Sequence, residues 1–121
     1  MSREHKSHWM EREDLGDVTV VRLRPPKKMM DDDTSRTVFD AVYGLLTAGR
    51  HRLVVSLADV DFLPSLALGK LVMLNRKALA AGGRLALCRL TEPVDEVMET
   101  THLKELLACY ATEPEAVAAV S

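Results

Sequence analysis

Apolar residues along this chain fall into two alternating rhythms. "DVTVVRL", Asp17 to Leu23, is short and rich in β-branched residues, which predicts a strand. "RPPKK" stops it, because proline has no N–H to give to a ladder. In "DDDTSRTVFDAVYGLLTAGR" the period changes. Val38, Val42, Leu45 and Leu46 recur at helical spacing with Phe39 beside them. The aspartates and Thr34 suit the start of that helix, and Gly49 closes it. "RLVVSL", Arg52 to Leu57, is a second strand, apolar enough to be central. The junction "VDFLPSLALGKL", Val60 to Leu71, leads at Ser65 into a helix of about four turns, stopped by Gly82 and Gly83. "RLALCRL" is a third strand. "TEPVDEVMETTHLKEL" opens a helix with threonine, acid and proline. "LLACYA" is a short fourth strand, and "TEPEAVAAV" a terminal helix with the same opening.

Strand–helix alternation of this kind requires right-handed crossovers and parallel pairing. The pattern predicts an α/β fold in one domain. It has a mixed, mostly parallel sheet of four to five strands and about four helices packed on it. Residues 1–14 are expected to be a loose segment or an edge strand near Trp9, and residues 15–121 the domain proper. There is no internal repeat and no linker.

Composition narrows the function. A chain of 121 residues, 47% of them hydrophobic, is large enough to bury one core without metal or disulfides. The formal net charge of −2 comes from acids and bases mixed along the chain. It gives no general pull toward nucleic acid or an anionic membrane. No apolar run spans a bilayer, and the polar N-terminal stretch "MSREHKSHWMERED" does not have the core of a signal peptide. A cytoplasmic location is expected. Cys88 and Cys109 sit in apolar stretches and are expected to be small buried hydrophobes. His5, His8, His51 and His102 are scattered, and no metal or triad spacing appears. Asp31, Asp32 and Asp33 read better as helix caps than as cation ligands. Asn75 falls near the core-facing side of its helix and predicts a satisfied hydrogen bond. No cofactor, no metal and no enzymatic activity are expected.

The stretch "RLVVSLADVDFLPSLALGKLVMLNRKALAAGGRLALCRL" resembles the STAS domain, the fold of bacterial anti-sigma factor antagonists. "EPVDEVMETTHLKELL" is similar to a further segment of that family, and the likeness covers nearly everything after Asp17. Where the family usually carries Asp-Ser-Ser-Gly, this chain has Pro64, Ser65, Leu66 and Ala67. Ser65 falls on the serine that family members have phosphorylated by a partner kinase. The resemblance therefore implies an anti-sigma factor antagonist. Its partner would be an anti-sigma factor, a serine kinase, and phosphorylation of Ser65 would weaken docking. Direct contact with nucleic acid and insertion into a membrane are not implied, and a homodimer is left open. The alternative is a STAS subunit of a signalling assembly or of a membrane transporter complex, without phosphorylation control.

At the junction, Pro64 pushes Leu63 into an extended conformation and places Ser65 at or near the helix N-cap. The expected bland role is a cap. A phosphate there would also meet free amides and the positive end of the helix. At about 100° per residue, Ala67, Leu68, Leu71, Val72, Leu74, Ala78 and Leu79 share an apolar face that predicts packing on the sheet. Leu66, Lys70, Met73 and Lys77 gather on the other side. That stripe is either a docking surface or a solvated face. The expected partner-binding set is Asp61, Pro64, Ser65, Leu66, Lys70, Met73 and Lys77.

Overall fold

In the computed structural model the backbone is described for residues 3–7 and 9–121, with side chains from Trp9 onward. Six strands form one sheet whose spatial order equals their chain order. β1 (Arg3–Ser7), β2 (Met10–Leu15) and β3 (Val18–Leu23) make an antiparallel meander. β4 (Arg52–Ser56), β5 (Arg84–Cys88) and β6 (Ala108–Tyr110) continue it in parallel from β3. α1 (Asp32–Thr47), α2 (Ser65–Ala80), α3 (Glu92–Thr100) and α4 (Glu113–Val120) are the helices.

The expected α/β architecture with a mixed, mostly parallel sheet is present. The sixth strand comes from residues 3–7, within the segment expected to be loose or an edge strand. Its sequence "REHKS" has no apolar alternation to announce it. An edge strand can pair through its backbone alone, and charged residues there discourage pairing with other chains. His5 and His8 fall outside the residues whose side chains are described.

The inner strands read as continuous apolar runs because both of their faces are covered. Val21, Leu23, Leu53, Val55, Leu85 and Leu87 join the larger core with Phe39, Leu71, Leu74 and Met98. The alternate residues Val18, Val20, Val54, Ala86 and Cys88 meet Ala116 and Val120 of α4 in a smaller one. Beside the smaller core, Arg22 closes on three carboxylates: Glu11 at 2.8 Å, Glu13 at 2.7 Å and Glu113 at 2.8 Å. The hydrogen bonds that its guanidinium donates to Glu113 lead in holding it even more firmly protonated than usual.

α2 is locked at its C-terminal end. Gly82 sits at φ 82, and the Gly83 N–H donates to the Ala78 carbonyl at 2.8 Å. A Cβ on Gly83 would lie 2.0 Å from the His51 carbonyl oxygen, so only glycine fits. Most of the expected core face of α2 is buried, Ala67, Leu68, Leu71, Leu74 and Ala78 among it, with Val72 packed at its edge. Leu79 is the exception, 55% exposed, because at about 100° per residue it falls beside Val72 at the edge of that face, off the arc of Ala67, Leu71, Leu74 and Ala78.

Candidate functional site

The β4–α2 connection is fastened to the β3–α1 connection. The Asp61 and Phe62 N–H groups both donate to the Lys28 carbonyl, at 2.8 and 3.3 Å, and the Met30 N–H donates to the Phe62 carbonyl at 3.0 Å. A fourth link comes from the β5–α3 corner, where the Thr91 hydroxyl donates to the Val60 carbonyl at 2.6 Å. Thr91, expected to cap α3 with its side chain, stands at the N-cap but spends its hydroxyl on this loop instead. The connections that follow three parallel strands are thus tied together just before Ser65.

Pro64, extended at φ −75 and ψ 172, is the N-cap of α2, and no side chain caps this helix. Ser65 is its first helical residue and is exposed. This corrects the expectation of a serine cap. A cap must be extended to turn its oxygen back onto the second and third helical amides. The proline takes that conformation, and the chain is already helical at Ser65. Among the described residues nothing hydrogen-bonds the Ser65 hydroxyl. The oxygen is therefore open to solvent beside the unfilled positive end of a four-turn helix.

The other expected partner-binding residues lie around it. Asp61 is exposed and makes no ion pair among the described residues, and Pro64 is half-buried. Leu66 and Lys70 are half-buried, while Met73 is 41% exposed. Lys77 is exposed, with its ammonium 5.3 Å from the centre of the Tyr43 ring on α1. The stripe therefore runs along the flank of α2 next to α1 and is tethered at its far end by a cation–π contact. Two residues were not signalled as site residues by the sequence. Met29 and Phe62 form an isolated parallel bridge and are 40% and 46% exposed. Their pairing links segments far apart in the chain, and no local pattern carries it.

The remaining candidates are structural. Asp31 caps α1, accepting from the Thr34 N–H at 2.9 Å, and that bond holds its carboxyl below the usual range. The Asn75 amide donates to the Leu106 carbonyl at 3.2 Å. Burial pushes the Cys88 thiol up to about 11 and raises that of Cys109, so neither is a ready nucleophile. Among the described residues no three His, Cys, Asp or Glu side chains group as metal ligands. No helix there is long and apolar enough to cross a membrane.

Comparison with known proteins agrees with this geometry. The family model of the STAS domain matches residues 10–116. A candidate anti-sigma factor antagonist of Thermotoga maritima is 30% identical over 101 residues, covering 81% of this chain and 87% of that protein. The crystal structure of a candidate anti-sigma factor antagonist from Thermotoga maritima superposes with a TM-score of 0.82 at 25% identity, covering 93% of this chain and 95% of that one. The Bacillus cell fate determinant SpoIIAA in its phosphorylated form shares the fold, with a TM-score of 0.65 at 17% identity and 98% of each chain covered. With an open sheet in this order, an exposed serine at the start of α2 and a family match over nearly its whole length, the chain belongs to the STAS domain family, among the anti-sigma factor antagonists.

Proposed function

We propose that this chain binds an anti-sigma factor with serine kinase activity through the Ser65 junction and the α1-side flank of α2, and that phosphate on Ser65 ends the binding. One observation carries the reading: Ser65 offers an exposed hydroxyl with no hydrogen-bond partner among the described residues, at the first turn of α2. A hydroxyl held in a cap would have to break a bond before it could react. In the transfer, the Ser65 oxygen forms a new bond to the γ-phosphorus of a nucleoside triphosphate. The bond from that phosphorus to the diphosphate breaks, and the hydroxyl proton leaves to a base of the kinase. The product would sit near open amides at the helix start, so the domain itself tolerates it. A partner covering the same surface would have to desolvate nearly two negative charges.

In this reading the chain is a cytoplasmic binding module, with no catalysis, cofactor or nucleic-acid contact of its own. It frees a sigma factor by occupying the anti-sigma factor. Pro64 and Leu66 replace polar positions of the family motif, so the regulation of this chain would differ from that of members with the full motif.

The test is the intact mass of the protein from its native cells, with peptide mapping from Leu63 to Lys70. A phosphate on Ser65 is expected in one growth condition and its loss in another. In binding assays Ser65→Asp should cost about 3 kcal/mol or more by burying an unpaired charge, roughly a hundredfold in affinity. Ser65→Ala should bind as wild type. A serine that stays unmodified under growth and stress, in a chain whose S65D variant still binds fully, would leave unregulated assembly as the function.

A further inference from the structure

The loop beside Ser65 narrows the chemistry of the partner. Paired residues of a parallel bridge direct their side chains to the same side, so Met29 and Phe62 stand next to each other. Scattered exposed apolar residues need no explanation. These two are adjacent, and Phe62 continues with Pro64 into a shallow groove of about 430 Å³ lined otherwise by Asp31, Asp32 and Asp33. Lys27 and Lys28 precede Met29 but do not line the groove. The Asp31 carboxylate is engaged with the Thr34 amide, and Asp33 has Arg36 at 3.4 Å. Asp32 and Asp61 have no ion-pair partner among the described residues.

The pair is also held in place before any partner arrives. Lys27 and Lys28 both take left-handed backbone conformations, φ 55 and 57, which non-glycine residues adopt only where surroundings enforce them. Here the Lys28 carbonyl receives two N–H groups from the facing loop. An anchor fixed in this way loses little freedom on binding.

Resting on the antagonist reading, we propose that Met29 and Phe62 are the apolar anchor of the interface, and that the partner receives them in an apolar pocket rimmed by arginine or lysine. Those cations meet Asp32 and Asp61. The carboxylates then already answer the partner's positive charge, and a phosphate on the neighbouring Ser65 arrives with no counterpart to pair it.

The probe is the set of purified anti-sigma factors of the organism, titrated one at a time by calorimetry over a range of salt concentrations. The chains compared are wild type, the double variant Met29→Ser/Phe62→Ser, the double variant Asp32→Asn/Asp61→Asn, and Leu106→Ser as an exposed apolar control outside the groove. All changes are at exposed side chains, and equal unfolding midpoints confirm intact folding. The apolar variant should lose roughly 30-fold or more in affinity, as a hot-spot pair does. The Asn variant should bind more weakly at low salt and show a flatter salt dependence. Leu106→Ser should change nothing. If an anti-sigma factor binds wild type and both double variants within about threefold, this anchor is wrong while the antagonist reading stands. If no anti-sigma factor binds the wild-type chain, the antagonist reading falls and the anchor with it.

Discussion

The two ends of α2 are built on opposite principles. Its C-terminal end is jammed against the strand connection at His51, with a left-handed Gly82 and no room for a side chain at Gly83. Its N-terminal end has a proline, no side-chain cap and an unengaged serine. The start of α4 shows that this chain can close a helix end when nothing else is required of it. There Thr112 and Glu115 form a capping box, with the Glu115 N–H donating to the Thr112 hydroxyl at 3.3 Å and the Thr112 N–H donating to the Glu115 carboxylate at 3.1 Å. The difference teaches that packing fixes α2 from behind while its N-terminal end stays unfilled.

The largest test of this contrast is at the locked end. Gly83→Ala drives a methyl into the His51 backbone and should destabilise the fold by about 3 kcal/mol, the upper part of the overpacking range, measured by chemical denaturation. A change under about 1 kcal/mol would mean that this end is looser than described. Next comes Thr112→Ala, which should lose about 1 kcal/mol as a helix cap does; no loss would remove α4 as the reference for a closed end.

A smaller effect separates α1 from both. The folded Asp31 carboxyl titrates below its ordinary value of 3.8 because the Thr34 amide donates to it. A depressed folded value gives stability that is full above the unfolded value and is lost as the pH falls through the folded one. The acid limb of the stability curve below about pH 4 should therefore be shallower in Asp31→Asn than in wild type. The smallest effect belongs to the open end. Ser65→Ala should leave stability within about 0.5 kcal/mol, since no bond is lost. A loss near 1 kcal/mol would restore the serine as a cap and remove the contrast.

Much of this was legible in the chain because the local signals agree with the fold. The helices announce themselves by spacing and by acid or threonine at their starts. The inner strands show themselves by continuous apolar runs. What was not legible depends on contacts between distant segments. Thr91 looks like a cap in sequence and serves as a tie to Val60 in space. Ser65 looks like a cap because serine favours that position, yet proline already occupies the one backbone conformation a cap needs. Lys77 falls on the expected stripe, but only the packing of α1 against α2 could place Tyr43 beneath it. Of the candidate site, the serine and the stripe could be found from local pattern and family likeness. The Met29–Phe62 pair could not, because bridging positions 29 and 62 requires the finished sheet.

That sheet has a consequence for how the molecule is made. Its spatial order repeats its chain order from first strand to last. Each strand therefore docks on a neighbour already synthesised and closes the shortest available loop, which favours rapid assembly for a fold rich in parallel pairing. The chain can grow outward from a finished edge as it leaves the ribosome. The loops that hold Ser65 are complete once β4, α2 and β5 with Thr91 have joined β3, before β6 and α4 exist. The surface proposed for recognition would be among the first parts to form, and the clamp of Glu113 on Arg22 among the last.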